Sequence, residues 1–199
     1  MQIKLADKNI LTDSIVDGDG LRAVIWTQGC SHNCKGCHNP ETHDFTKGFL
    51  VDTEEVKEKI SNLKLQDGIT FSGGDPFFQP EAVMELAKYA KELELSVWAY
   101  TGFTYEELLT LPKQRELLNY IDVLIDGKFI LEQKSLAIKF RGSTNQRIID
   151  VVKSLKQGRT VVIRKYDKTE NTKKVKSYMF VWLIIICYIK IYQLLTYMD

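Results

Sequence analysis

The sequence predicts an α/β fold with a mainly parallel sheet. Segments rich in β-branched and aromatic residues alternate with segments in which apolar residues recur every three or four positions. The first kind is apolar throughout, as strands of parallel sheets are when helices cover both faces. The chain has 199 residues, 44% hydrophobic and 27% charged, which suits one domain followed by a tail.

The predicted elements follow one another along the chain. Residues 21–28 (LRAVIWTQ) form the first strand, and residues 51–63 form the first helix. Asp52 and Thr104 are each followed three residues later by glutamate, so both are predicted N-caps in capping boxes. The other predicted elements are a strand at 68–72, a helix at 80–93, a strand at 95–102, a helical region at 104–120, a strand at 121–129, and two short strands joined by a turn within 147–163.

Polar segments that contain glycine follow four of the predicted strands. They read CSHNCKGCHN, SGGDP, YTG and DGK. Ligands of α/β sheets and barrels bind at the carboxyl ends of the strands. We therefore expect the four segments to meet at one edge of the sheet.

Three of the four cysteines are clustered in one loop. They are spaced C-x₃-C-x₂-C, at Cys30, Cys34 and Cys37. Clustering of this kind indicates metal binding in a reducing cytosol rather than a disulfide framework. Three thiolates hold three irons of a [4Fe–4S] cluster and leave the fourth iron open, where S-adenosylmethionine (SAM) can chelate through its amino and carboxylate groups. A Cys₃His zinc site completed by His32, His38 or His43 is the alternative.

Two further motifs can contribute to the same site. Gly73 and Gly74 allow close backbone approach, so their amides and carbonyls can hold the methionine part of a ligand; Gly-Gly-Asp also marks simple turns. Asp126 and Lys128 lie two residues apart on a strand and share a face. A carboxylate suits ribose hydroxyls or an ammonium group, and a lysine suits a carboxylate. A solvated pair of loop charges is the alternative.

The chain resembles the activating proteins of anaerobic ribonucleoside-triphosphate reductases, which are radical-SAM glycyl-radical activases. The resemblance covers about residues 1–165. The segments that carry it are, in order, IVDGDGLRAVIWTQGCSHNCKGCHNP, SGGDP, VWAYTG, IDVLIDGKF and RGSTNQR. The cysteine spacing is specific to the radical-SAM superfamily, and its combination with DGKF and RGSxNQR is specific to this family.

The resemblance implies a partial (β/α) barrel of the radical-SAM type, with a [4Fe–4S] cluster on the three clustered cysteines and SAM as cofactor. The residues that it places at the cofactor are Gly36, Cys37, His38, Gly73, Gly74, Asp75, Asp126 and Lys128. His38 stands where the superfamily usually has an aromatic residue near the adenine. Asp75 replaces the glutamate of the superfamily's Gly-Gly-Glu stretch. Arg141 is predicted either to pair with the methionine carboxylate or to lie in a surface or partner-contact loop.

The implied reaction is reductive cleavage of SAM, followed by removal of an α-hydrogen from a glycine of the reductase. About 165 residues leave little protein to close over a small substrate, so we expect a partner to cover the reactive radical. Predicted partners are the large reductase subunit and a reduced flavodoxin-type donor, and a homodimer is consistent with the family. A small-molecule radical-SAM enzyme, such as a deazapurine-forming synthase, and a zinc-stabilised interaction module without catalysis are the alternatives.

The net charge and the N-terminal sequence bear on the partners and the cellular location of the protein. The formal net charge is +1, which gives no electrostatic argument for a nucleic-acid partner. The first ten residues lack the apolar core of a secretory signal, so the sequence predicts a cytoplasmic protein.

The C-terminal segment 166–199 is predicted to be an atypical tail, separate from an activase domain at 1–165. It lacks Gly, Ala, Pro and Arg, and its apolar run at 178–189 is short for a membrane span. A membrane anchor, a core element and a non-native extension are three interpretations. The residues are those of A/T-rich codons, which favours the non-native extension, and membrane contact is expected only if the tail is genuine.

Overall fold

A computed structural model of the chain describes residues 1–167. These residues form one compact unit with a mixed α/β fold. The predictions for the tail beyond Asp167 lie outside the described residues. Within residues 1–167, none of the helices has both the length and the apolar character needed to span a bilayer.

The sheet contains eight strands in the described part of the chain. They are β1 (Gln2–Leu5), β2 (Leu11–Ser14), β3 (Arg22–Thr27), β4 (Phe49–Asp52), β5 (Gly68–Gly73), β6 (Ser96–Tyr100), β7 (Val123–Asp126) and β8 (Arg147–Asp150). Their order is β4-β1-β3-β5-β6-β7-β8, and β2 pairs with β3. The central strands β3, β5, β6 and β7 are parallel, and the pairings of β1, β2, β4 and β8 are antiparallel. The predicted parallel sheet is confirmed for its centre.

Five α-helices connect or flank these strands in the described residues. They are α1 (Thr53–Ser61), α2 (Pro80–Glu92), α3 (Tyr105–Thr110), α4 (Pro112–Leu117) and α5 (Val151–Gln157). Asp52 caps α1, as predicted, but its side chain accepts the hydrogen bond from the Glu54 amide rather than from the residue three positions on. The capping box of Thr104 and Glu107 at the start of α3 is confirmed, because both reciprocal bonds are present.

The sequence missed three strands and one helix. β1, β2 and β4 were not predicted, although Ile3 and Leu5 are buried in alternation with more exposed neighbours, the pattern of a half-buried strand. β4 takes up Val51 and Asp52, the first two residues of the segment predicted as a helix, and α1 begins at Thr53, directly after the predicted N-cap.

Of the two short strands predicted within 147–163, the first is β8, and the last is present only as an isolated antiparallel bridge between Val162 and Ile149. The turn predicted between them is helix α5, which begins after Asp150 because the Asp150 side chain accepts a bond from the Lys153 amide at 2.9 Å.

The core lies between the sheet and its covering helices. One face of α2 is fully buried and packs with Ile69 and Phe71 of β5; its apolar residues, spaced three or four positions apart, are Val83, Leu86, Ala87 and Ala90. A second, smaller cluster contains Trp98 and Ile125 and reaches Tyr166, whose ring centroid lies 5.1 Å from that of Phe140. Tyr166 is therefore packed against the domain.

Candidate functional site

The four polar segments meet around one cavity at the carboxyl ends of the parallel strands. The cavity has a volume of about 640 Å³. Each segment contributes to its lining, for example Cys30 after β3, Gly73 at the end of β5, Thr101 after β6 and Gly127 after β7. The predicted convergence is confirmed.

The clustered cysteines are free thiols that all line this cavity. Cys30, Cys34 and Cys37 are each partly buried and form no disulfide. The loop is held by backbone bonds from the Cys30 amide to the His43 carbonyl (3.0 Å) and from the Cys37 amide to the Cys34 carbonyl (3.1 Å). Burial raises the pKa of Cys30 to about 11 and also raises the pKa of Cys34. A bound cation would reverse this effect by stabilising the thiolates.

The Gly-Gly-Asp segment packs against the backbone that leads into the cysteine loop. The Gly74 amide donates to the Thr27 carbonyl at 2.8 Å, and the Asp75 amide donates to the Gly29 carbonyl at 3.0 Å. Gly73 has a φ of +99°, and a Cβ at Gly74 would lie 2.5 Å from the Gly29 oxygen. Glycine is therefore required at both positions. Both glycines line the cavity, and their contact with SAM stays a prediction.

Asp75 lies behind the cavity wall and is fully buried. Its Oδ2 accepts bonds from Thr101 Oγ1 and the Gly102 amide, both at 2.9 Å, and lies 2.8 Å from His32 Nε2. Its Oδ1 accepts a bond from the Phe77 amide at 2.9 Å. The sequence did not predict this pairing of His32, a candidate zinc ligand, with a residue predicted to contact the cofactor.

Asp126 and Lys128 are not brought to the cavity wall together. Asp126 is buried and accepts bonds from the Tyr105 amide (2.8 Å) and from Arg147, through Nε at 3.0 Å and through Nη2. Lys128 is exposed, and only Gly127 between them lines the cavity. Arg147 also binds Glu106, and this ion pair lowers the pKa of Glu106 to about 2. The cofactor contacts of Asp126 and Lys128 stay predictions.

His38 and Phe129 form an aromatic pair at the cavity. Their ring centroids lie 4.8 Å apart with an interplanar angle of 50°, and both residues line the cavity. The sequence had identified His38 but not Phe129, although DGKF places an aromatic residue directly after the strand-end motif. Gly36 has a φ of +72°, and a Cβ there would lie 2.9 Å from Leu131.

Comparison with known proteins decides the family. Residues 16–149 match the sequence model of the family described as 4Fe-4S single cluster domain. Relatives named anaerobic ribonucleoside-triphosphate reductase-activating protein are 38% identical in Haemophilus influenzae and 40% identical in Vibrio cholerae, each over 143 residues. The matches cover 67% of this chain and 90% of each relative. The chain belongs to the family of anaerobic ribonucleoside-triphosphate reductase-activating proteins. The resemblance predicted from the sequence motifs is confirmed.

Membership of this activating-protein family supports an iron–sulfur cluster, and the cavity offers a matching donor set. Each sulfur of a three-cysteine [4Fe–4S] site binds a different iron, and here three free thiols of one loop face one cavity. Among residues 1–167, no three His, Cys, Asp or Glu side chains are arranged to hold a single metal ion. Of the other two candidate zinc ligands, His38 is exposed and His43 is half-buried, and both line the cavity.

The RGSTNQR segment of this activating-protein homologue closes one side of the cavity. Gln146 Oε1 accepts a bond from the Gly142 amide, and Gln146 Nε2 donates to the Gly127 carbonyl at 3.0 Å. Arg141 lines the cavity and pairs with Asp167 at 2.8 Å, while its buried Nε has no hydrogen-bond partner within residues 1–167. The segment is therefore a loop that clamps the end of β7 and also presents Arg141 to the cavity.

Exposed apolar side chains surround the mouth of the cavity. Ile15 and Val16, in the β2–β3 loop, are 72% and 70% exposed, and Leu136, between β7 and β8, is 94% exposed. All three line the cavity. Ile15 and Val16 open the first segment that carries the family resemblance, but the sequence gave them no role, because single aliphatic side chains in loops are common, and Leu136 lies outside the motifs. We call Ile15, Val16 and Leu136 the apolar rim.

Proposed function

We propose that this chain activates an anaerobic ribonucleoside-triphosphate reductase by reductive cleavage of SAM and formation of a glycyl radical on the reductase. The observation that carries the proposal is the cavity with three free cysteines at the carboxyl ends of the strands, in a chain of this activating family. In this proposal the sheet is the partial (β/α) barrel of a radical-SAM enzyme. When bound, the cluster and SAM supply the electron and the 5′-deoxyadenosyl radical.

The residues of the chain bind and orient the cofactors. Cys30, Cys34 and Cys37 hold the cluster. Gly73 and Gly74 offer backbone groups to the methionine part of SAM, since they border the cavity without side chains. The aromatic pair of His38 and Phe129 offers a stacking surface for the adenine.

The protein target covers the mouth of the cavity. A primary radical must be kept from water and from unintended hydrogen donors. The apolar rim supports a partner surface there, because it exposes aliphatic side chains beside the site. The proposed partners are the large reductase subunit and a reduced flavodoxin-type donor, with a second copy of this chain as a further candidate. The proposed location is the cytoplasm, where free thiols persist.

An anaerobic assay tests the proposal. The chain is reconstituted with iron and sulfide, reduced and mixed with SAM, and 5′-deoxyadenosine is measured by chromatography. We expect product from the wild type, none from Cys34→Ala, and retained product from Cys187→Ala, which removes the cysteine outside the motif. Addition of the reductase should then produce a glycyl-radical EPR doublet. Turnover with a small molecule alone, or tightly bound stoichiometric zinc without cluster absorbance, would contradict the proposal.

A further inference from the structure

We infer that Asp75 and His32 are positioning residues that fix the cysteine loop against the ends of β5 and β6, and that Asp75 is not a cofactor ligand. The inference departs from the expected role of the Gly-Gly-Asp motif in cofactor binding. It rests on the proposed function only in that the fixed loop carries the cluster.

Both oxygens of the Asp75 carboxylate already have hydrogen-bond partners in the protein. Oδ2 has three partners, at Thr101 Oγ1, the Gly102 amide and His32 Nε2, and Oδ1 receives the Phe77 amide. The side chain is only 1% exposed and does not line the cavity. A carboxylate offers about four lone-pair sites, two on each oxygen, so Oδ2 is saturated and Oδ1 keeps one. Because the side chain is buried outside the cavity lining, an ammonium or hydroxyl group of a ligand could reach the carboxylate only by displacing protein groups. Such displacement would leave a buried donor unpaired.

His32 reaches Asp75 from the middle of the cysteine motif. It stands two residues after Cys30 and two residues before Cys34. Its side chain is 8% exposed, and its ring centroid lies 5.4 Å from that of Phe78 and 4.6 Å from that of Phe103. This is an enclosed socket for an imidazole ring.

Gly102 completes that socket. A Cβ at position 102 would overlap the imidazole of His32, so the absence of a side chain makes room for the ring. The Gly102 amide also donates to the same carboxylate oxygen that faces His32. One glycine thus serves both members of the pair.

The same short segment also holds the backbone on the other side of Cys30. The Asp75 amide bonds the Gly29 carbonyl, so main chain and side chain of Asp75 grip the loop before and after Cys30. Residues 28–36 form no helix or strand. The geometry of the loop therefore depends on such anchors. Substitution of residues that hold metal ligands in place typically lowers metal affinity by about 10–100-fold.

A double-mutant cycle with His32→Ala and Asp75→Asn tests the inference. The reconstituted chains are desalted anaerobically, and iron per chain and cluster absorbance are followed over time. We expect each variant to lose its cluster about tenfold faster than the wild type. The double variant should be no worse than the single ones, because the two residues act as a unit. His32→Gln, which retains a donor, should lose its cluster more slowly than His32→Ala.

The control is Asp122→Asn. Asp122 is also a carboxylate that accepts a backbone amide, from Val97 at 2.7 Å, and a charged side chain, from Lys91 at 2.8 Å, but it lies before β7 at the other end of the sheet. We expect Asp122→Asn to retain its cluster like the wild type. Thermal unfolding of all apo chains separates loss of the loop geometry from loss of the fold.

The affinity for SAM is measured by equilibrium dialysis on cluster-loaded fractions. If Asp75 binds the cofactor, Asp75→Asn should weaken SAM binding and leave cluster retention unchanged. Normal cluster retention with tenfold weaker SAM binding in Asp75→Asn alone would overturn the inference, as would additive effects of the two substitutions. A wild-type chain that keeps its cluster but cleaves no SAM would refute the proposed function instead. The retention data would still decide whether His32 and Asp75 position the loop.

Discussion

The two ends of the parallel strands treat polar groups in opposite ways. At the amino ends, Arg22 is fully buried, and its guanidinium donates to Thr70 Oγ1 at 3.1 Å and to the Ser96 carbonyl at 3.0 Å, and also to Ile69 O. At the carboxyl ends, three cysteine thiols face a cavity, and the apolar rim is exposed. At the amino ends the buried polar group is hydrogen-bonded by the protein, whereas at the carboxyl ends the thiols remain available for a ligand.

Burial shifts the pKa values of ionisable groups at both ends of the strands. Burial lowers the pKa of Arg22 to about 10, yet its hydrogen bonds and the Trp98 ring at 5.4 Å retain it in the interior. At the other end, burial raises the pKa of the Cys30 thiol, so that end gains from a cationic ligand. The amino end therefore supports stability and the carboxyl end supports binding, as in other folds with parallel strands.

The largest expected effect comes from breaking the amino end. Arg22→Ala should destabilise the chain by about 3 kcal/mol, because it opens a cavity and leaves buried oxygens without their donor. Urea denaturation of the apo chain measures this loss. Arg115→Ala, which removes an exposed arginine of α4, should change stability by no more than about 0.5 kcal/mol. Equal stability of the Arg22 and Arg115 variants would contradict the division between the two ends.

A second test targets the apolar rim. Val16→Asp and Leu136→Asp together should lower the yield of glycyl radical per SAM cleaved by about 30-fold, because a docked partner would bury two carboxylates without counter-charges. The EPR doublet of the reductase and chromatography of 5′-deoxyadenosine give the two quantities. Leu65→Asp is the control, since Leu65 is 80% exposed but does not line the cavity. An unchanged ratio in the rim variant would show that the partner docks elsewhere.

The sequence allowed the central fold and the edge that carries the site to be predicted. Continuous apolar strands such as 68–72 and the capping box at Thr104 are local signals, and the structure confirms both. β1 and β4 were missed because they are four residues long, and their stability comes from pairing with each other across about fifty positions. The alternation of Ile3 and Leu5 is a local strand signal, but it is too short to identify a strand without its partner.

The site was predicted at the level of motifs but not of side-chain partners. The cysteine spacing and the glycines pointed to the cavity, since both are constraints within a few residues of sequence. The Asp75–His32 bond joins residues 43 positions apart, and Arg147 reaches Asp126 across 21 positions. Both carboxylates looked available in the sequence because the groups that occupy them come from other elements.

A smaller effect is expected from Gly102→Ala, which tests whether the carboxyl end depends on the His32 socket. The added methyl group would overlap the imidazole and push it from Asp75. Cluster loss should accelerate about tenfold, the range of a disturbed partner behind a metal ligand. Iron retention after desalting measures it. Gly158→Ala is the control, because a Cβ at Gly158 meets no atom within 4 Å although φ there is +64°. Equal cluster retention in Gly102→Ala and Gly158→Ala would contradict the prediction that the position of His32 controls cluster retention.

The smallest expected effect concerns the ion pairs behind β7. Arg147 lowers the pKa of Glu106 to about 2, against an ordinary value of 4.5, so this carboxylate stabilises the fold above pH 4.5 and loses that contribution as the pH falls toward 2. Glu106→Gln should therefore reduce stability at pH 6 by less than about 1 kcal/mol, because Glu106 is half exposed and water screens the pair. The difference from wild type should shrink between pH 4.5 and 2, as followed by urea denaturation of the apo chain. A difference that stays constant over this range would mean that packing of the Glu106 side chain, and not its charge, stabilises this side of the carboxyl end.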